Sequence, residues 1–168
     1  MIVTLTANPS LDRTVMLPAP LQVGDVQRAA PAREDGGGKG INVARAIAAA
    51  GEDCAAVLPL APGDPFDAAL RAAALDARRV PVRGNVRANI AITDPAGVTT
   101  KLNLPGAELS ADEVSAVVDA VVAASVDARW LVLAGSLPPG VAEDFYVRVI
   151  RAVRAAHGAD APLIAVDT

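Results

Sequence analysis

Gly36-Gly37-Gly38-Lys39-Gly40-Ile41-Asn42-Val43-Ala44-Arg45 runs from a glycine loop into a helical pattern over Ile41–Ala50 that Gly51 stops. The apolar run Cys54–Leu60 follows as a strand, and this loop–helix–strand order sets the α/β reading of the chain. Consecutive glycines let a backbone approach a ligand closely, at an entropic cost on ordering. A helix amino terminus offers free N–H groups and partial positive charge, which favours an anionic or hydroxyl-rich ligand. Lys39 adds a full charge there, and Asn42 can donate to or accept from a sugar hydroxyl. Two familiar phosphate loops are excluded by spacing. A Walker A loop needs Ser or Thr after its lysine, where Gly40 stands, and the dinucleotide fingerprint fails because Val43 follows Gly38 and Gly40 where glycine is required. The preceding Ala32-Arg33-Glu34-Asp35 is a poor buried strand.

Outward from this segment the strand–helix alternation continues. Ile2–Thr6 reads as the first strand, and Trp130–Ala134 and Leu163–Asp167 read as buried strands. Asp64–Leu75 reads as a helix capped by Asp64, with Pro65 in its first turn. Ser110 and Glu113 form a capping box ahead of Val114, Val117, Val118, Val121 and Val122 on one helical face. A further helix over Ala142–Ala156 turns Tyr146, Val149, Ile150 and Val153 inward and Arg148, Arg151 and Arg154 outward, and His157-Gly158 ends it as a cap. The segments Leu11–Leu17 and Val26–Arg33 are extended, and Ala88–Thr93 with Val98–Leu104 forms a hairpin around Asp94-Pro95-Ala96-Gly97. Together these pieces predict a small separate sheet standing off the main layer.

Composition narrows the function classes. With 15 Lys and Arg against 19 Asp and Glu, scattered along the chain, the net charge of −4 argues against a nucleic-acid partner. Arg78-Arg79 is the only adjacent basic pair and reads as solvated surface. The start shows no basic leader or cleavage site and no apolar stretch approaches the ~20 residues of a membrane span, so the reading is a soluble, cytoplasmic protein with no membrane partner. The single cysteine, Cys54, has no disulfide partner and no metal-ligand cluster around it, and reads as a small core hydrophobe.

Five segments in order carry a family resemblance: Asn8-Pro9-Ser10-Leu11-Asp12, Gly37 to Arg45, Arg87-Ala88-Asn89, Thr100 to Gly106, and Gly135-Ser136-Leu137-Pro138-Pro139-Gly140. They resemble the motifs of the ribokinase-like (PfkB) carbohydrate kinases across essentially the whole chain. The wording is nearest the branch acting on fructose 1-phosphate, with the tagatose 6-phosphate and fructose 6-phosphate branches next. The resemblance implies a ribokinase-like three-layer α/β sandwich, with a mainly parallel sheet and a small β lid from about residues 11–33 and 86–105. It implies that Asp12 holds sugar hydroxyls, that Gly37, Gly38, Lys39 and Asn42 line the sugar site, that Arg87 binds the substrate's phosphate, and that Ser136 lies at the site from a strand's carboxyl end. ATP and Mg2+ are the implied cofactors, a sugar phosphate the small-molecule partner, and a homodimer through the lid the implied assembly.

The family's catalytic aspartate and anion hole lie in a Gly-Ala-Gly-Asp segment, and residues 1–168 contain no such run. The expectation is therefore the amino-terminal part of a single kinase domain, without the nucleotide-binding half and inactive alone. Two rival readings are a non-catalytic sugar-phosphate binder and a dinucleotide-binding domain of an oxidoreductase.

Overall fold

The computed structural model describes residues 1–167. Strands β1 (Ile2–Leu5), β4 (Cys54–Leu60), β5 (Asp76–Pro81), β8 (Trp130–Ala134) and β9 (Leu163–Asp167) form one sheet in the order β5-β4-β1-β8-β9. All four of its pairings are parallel. Helices α1 (Lys39–Ala49), α2 (Phe66–Ala72), α3 (Ala111–Ala124) and α4 (Phe145–His157) supply the outer layers.

Side chains alternate across a strand, so each strand divides its residues between two cores. Val3 and Leu5 of β1, Val57 of β4 and Leu131 and Leu133 of β8 pack with Val117, Val121, Val149 and Val153 from α3 and α4. On the opposite face Ala56 and Leu58 of β4 pack with Ile41 and Ala44 of α1 and with Phe66 and Leu70 of α2. The result is the mainly parallel α/β fold that the alternation predicts, in the three-layer arrangement that the resemblance implies. The capping box of α3 is present: the Ser110 side chain accepts from the Glu113 N–H, and the Ser110 N–H donates to Glu113 at 2.7 Å. Cys54 packs, partly buried, against the second core, and its thiol is pushed up from the ordinary value by burial first and by the Asp76 charge second.

A second sheet of β2 (Ser10–Met16), β3 (Arg33–Gly37), β6 (Arg87–Thr93) and β7 (Thr99–Asn103) has the order β3-β2-β6-β7. Its third-element strand differs from the expected Val26–Arg33: pairing begins at Arg33 and runs into the glycine loop, with Gly37 opposite Ser10 and Asp35 opposite Asp12. Val23 and Val26 stay almost fully exposed. Helix α2 is shorter than Asp64–Leu75 because the chain turns at Ala74, with φ of +51°. Asp64 still caps it, accepting from the Phe66 N–H at 2.8 Å. The Arg78-Arg79 pair lies within β5, a strand absent from the sequence reading. Arg79 pairs with Asp67 of α2 at 2.5 Å, so it is only partly a solvated surface residue. Helix α4 ends at His157 with Gly158 as its C-cap, as expected, and the His157 side chain donates from Nε2 to the Val122 carbonyl on α3 at 3.0 Å. Among the described residues no helix is long and apolar enough to cross a membrane.

Candidate functional site

The carboxyl ends of β1 and β8, the amino terminus of α1 and the base of the second sheet come together along one rim. Asp12 sits on β2 with both its donors on Oδ1: the Ser10 hydroxyl at 2.8 Å and the Asn89 amide at 2.9 Å. Its Oδ2 lies over Gly37, where any Cβ would overlap the carboxylate. Glycine at 37 is thus a condition for Asp12 to occupy this position.

Gly38 precedes α1 with φ of +115°, a conformation that side chains resist, and it leans on Thr6 and Pro9. Gly40 packs against the end of β1, where a Cβ would overlap Thr6 Oγ1. These contacts seat the amino terminus of α1 directly on the carboxyl end of the central strand. Asn42 is exposed on the first turn, its backbone N–H donating to the Gly38 carbonyl at 2.9 Å. Lys39 is exposed and reaches across the sheet edge to Asp167 on β9, Nζ to Oδ1 3.2 Å.

Ser136 is exposed on the loop after β8. That loop is held from two sides. The Tyr146 hydroxyl donates to the Gly135 carbonyl at 2.8 Å, and Asn8 Nδ2 reaches the Leu137 carbonyl at 3.3 Å. Asn8 also donates to the Pro105 carbonyl at 3.2 Å, which ties the end of β7 to the same loop. Gly135 passes close to Lys39, so the Ser136 loop and the start of α1 are neighbours.

Arg87 opens β6 opposite Ser10, the residue that donates to Asp12. Its Nε is buried and has no hydrogen-bond partner among the described residues. A buried guanidinium nitrogen without an acceptor is costly unless an anion completes it. The structure therefore groups Asp12, Gly37 and Arg87 at the base of the second sheet, and Gly38, Lys39 and Asn42 at the start of α1. Ser136 lies on the adjoining loop. Sequence reasoning missed Asn89, which touches Asp12 directly; its signal was its place two residues after Arg87, on the same face of an alternating strand. It also missed Asn8, buried where it bridges two loops, and Asp167, the partner of Lys39. Among the described residues no group of three or more His, Cys, Asp or Glu stands close enough to hold a metal ion.

Comparison with known proteins places this arrangement in a family. The chain is 36% identical to a 1-phosphofructokinase of Xanthomonas campestris pv. campestris, over 97% of this chain and 54% of that protein. It is 35% identical to the ATP-dependent 6-phosphofructokinase isozyme 2 of Escherichia coli K12, over 91% of this chain and 50% of that one. The fold matches phosphofructokinase-2 from Escherichia coli in complex with fructose-6-phosphate with a TM-score of 0.88 at 29% identity, covering 99% of this chain and 55% of that chain. The chain thus spans about half the length of the curated relatives it matches. Residues 5–167 match the pfkB family carbohydrate kinases, and the chain belongs to that family.

Proposed function

We propose that this chain is the sugar-binding part of an ATP-dependent sugar-phosphate kinase whose acceptor is fructose 1-phosphate and whose product is fructose 1,6-bisphosphate. Tagatose 6-phosphate and fructose 6-phosphate are the alternative acceptors. The observation that carries the reading is the buried, unpartnered Nε of Arg87, which opens β6 opposite Ser10, the residue that donates to Asp12. An anion is wanted at one end of this site and hydroxyls at the other, which is the chemistry of a phosphorylated sugar.

In this reading Arg87 takes the phosphate already on the substrate, and Asp12 Oδ2 accepts from a sugar hydroxyl. The N–H groups at the start of α1, with Lys39 and Asn42, line the sugar, and Ser136 approaches it from the β8 loop. ATP with Mg2+ supplies the phosphoryl group, and catalysis rests on positioning and charge stabilisation. The described residues contribute the sugar side of that reaction, and we expect no turnover from residues 1–168 alone. A non-catalytic sugar-phosphate binder is the second reading, favoured by the same Arg87 observation.

The second sheet acts as a lid. Leu102 is 51% exposed and stands opposite Ile90, on the face of that sheet away from Asp12. We propose this apolar face as the contact for a homodimer, which light scattering with an ordered lid tests directly; a strict monomer at high concentration removes it.

Calorimetry with fructose 1-phosphate, fructose 6-phosphate, tagatose 6-phosphate and NAD, each without ATP, tests the main reading. Fructose 1-phosphate should bind, and Arg87→Ala should weaken it by about 1.5–3 kcal/mol, the worth of a charge-assisted contact. Unchanged affinity in Arg87→Ala sinks the assignment, and binding of NAD alone replaces it. A coupled assay for fructose 1,6-bisphosphate separates kinase from binder once a complete homologue serves as control.

A further inference from the structure

Asn8 is buried at the end of β1 and joins stretches of chain that lie far apart in sequence. Its Nδ2 donates to the Pro105 carbonyl at 3.2 Å and to the Leu137 carbonyl at 3.3 Å, so both N–H groups of the amide are used. These acceptors fix which way the amide faces, because the reversed amide would set its oxygen against both carbonyls. Its Oδ1 lies over Gly106, which has φ of +96° and where any Cβ would overlap that oxygen. Further contacts close the segment after β7 onto the β8 loop. The Leu109 N–H donates to the Pro139 carbonyl at 3.2 Å, and a Cβ at Gly140 would crowd Glu108 and the Leu109 carbonyl. Ser136 thus stands between two held carbonyls, Gly135 taken by Tyr146 and Leu137 taken by Asn8. Strand β6, which carries Arg87, is rooted separately: the Val86 N–H donates to the Asp64 carboxylate at 2.8 Å.

From this we infer that Asn8 is a positioning residue, which fixes the Ser136 loop against the exit of the lid and so sets where the Ser136 hydroxyl meets a sugar held by the lid. The inference deepens the sugar-phosphate reading and rests on it. Both amide N–H groups of Asn8 are engaged with the protein, so Asn8 acts through Ser136 and not on the ligand. A hydroxyl that is already in place contributes its full hydrogen bond on binding. A loop that must first be ordered loses much of that gain to conformational entropy.

A double-mutant cycle separates positioning from a general loss of structure. Calorimetry with fructose 1-phosphate measures Ser136→Ala and Arg87→Ala, each alone and each combined with Asn8→Ala. Ser136→Ala alone should weaken binding about fivefold, the worth of one neutral hydrogen bond. Combined with Asn8→Ala it should cost less than about twofold, because the hydroxyl has already lost its place. Arg87→Ala should cost the same factor with and without Asn8→Ala, since Asp64 and not Asn8 roots its strand. Asn8→Ser leaves room for a water to satisfy the two carbonyls, which guards against a fold disturbed by alanine, and it should give the same pattern. If Ser136→Ala costs the same factor in every background, or has no effect in the unaltered chain, the inference falls and the sugar-phosphate reading stands. If Arg87→Ala also loses its effect beside Asn8→Ala and Asn8→Ser, Asn8 supports the whole lid and the inference falls alone. If the unaltered chain binds no fructose 1-phosphate, fructose 6-phosphate or tagatose 6-phosphate, the sugar-phosphate reading falls and this inference with it.

Discussion

The main sheet and the lid are held together by different physics. Every residue of β4 after Cys54 is buried, and the strand feeds two apolar cores. In the lid, by contrast, no residue of β6 is fully buried and every residue of β7 is exposed. What fixes the lid is a set of polar pins at its base and tip. Asp64 accepts from the Val86 N–H just before β6, Asn8 holds the Pro105 carbonyl just after β7, and Asp94 accepts from the Ala96 and Val98 N–H groups at the hairpin turn. Apolar burial is strong and non-directional, whereas hydrogen bonds are individually modest and directional. The main sheet therefore carries most of the burial, and the second sheet depends on directional contacts that local opening can break one at a time.

The hardest test of that division is Phe66→Ala. Phe66 is fully buried in the second core and also touches Gly36 at the root of β3. Its loss should cost about 3–5 kcal/mol in urea unfolding followed by Trp130 fluorescence, and lid and sheet should fail together. A separate early lid transition in this variant would mean that the two regions are not joined through Phe66.

Asn8→Ala should cost less, about 1–3 kcal/mol, because two carbonyls lose their donor. Its signature is local: amide exchange should quicken over Thr99–Asn103 and around Leu137, while Ala55–Leu58 stays protected. Equal acceleration in β4 and β7 would erase the distinction between a pinned lid and a packed sheet.

The same contrast explains what could be read from the chain. The strands Trp130–Ala134 and Leu163–Asp167 stand where the apolar runs put them, but only the first is largely buried: β9 lies at the sheet edge with no fully buried residue, so the expectation of a buried strand fails there. β5 escaped notice because Asp76-Ala-Arg-Arg-Val-Pro buries only Ala77 and Val80, at a sheet edge where charged side chains can face water. The end of α2 was hidden by helix-favouring alanines, since nothing in Ala72-Ala73-Ala74 marks the positive φ at Ala74. β3 was placed too early because its pairing is decided by the glycines that approach β2, not by apolar pattern. In the site, the glycine loop and Asp12 were legible as residue types. Their partners were not, because Asn89 and Asp167 come from strands whose register only the fold sets.

At the capping box the sheet region has polar pins of its own, and Ser110→Ala should cost only about 1 kcal/mol. Glu113 lies well below its ordinary value of 4.5, at about 2, because the Ser110 N–H, the Arg83 N–H and the Ser110 hydroxyl all favour its charged form. A depressed carboxyl stabilises the fold above its ordinary value, and the contribution is lost as pH falls from about 4.5 toward 2. Glu113→Gln should flatten the stability profile in that window and leave lid exchange untouched. A lid that loosened with it would show that α3 and the lid are coupled.

The smallest effect at neutral pH, and the cleanest to observe, belongs to Tyr146. It is the chain's single tyrosine, so the ultraviolet titration of tyrosinate reads this residue alone. Its ring is buried, and its hydroxyl donates to the Gly135 carbonyl that shapes the Ser136 loop. Burial first, and the negative charge of Asp167 second, push its ionisation up to about 12 from the ordinary 10.0. A raised phenol favours the folded state fully below its ordinary value, and that contribution disappears as pH rises through about 12. The titration should thus begin late and coincide with alkaline unfolding, because ionisation needs the hydroxyl released from Gly135. Asp167→Asn should lower the midpoint by less than burial raises it, and it should free Lys39 at the same time. A midpoint near 10 in protein that is still folded would mean that the hydroxyl is open to water. The β8 loop would then belong with the pinned, mobile part of the molecule and not with the packed sheet.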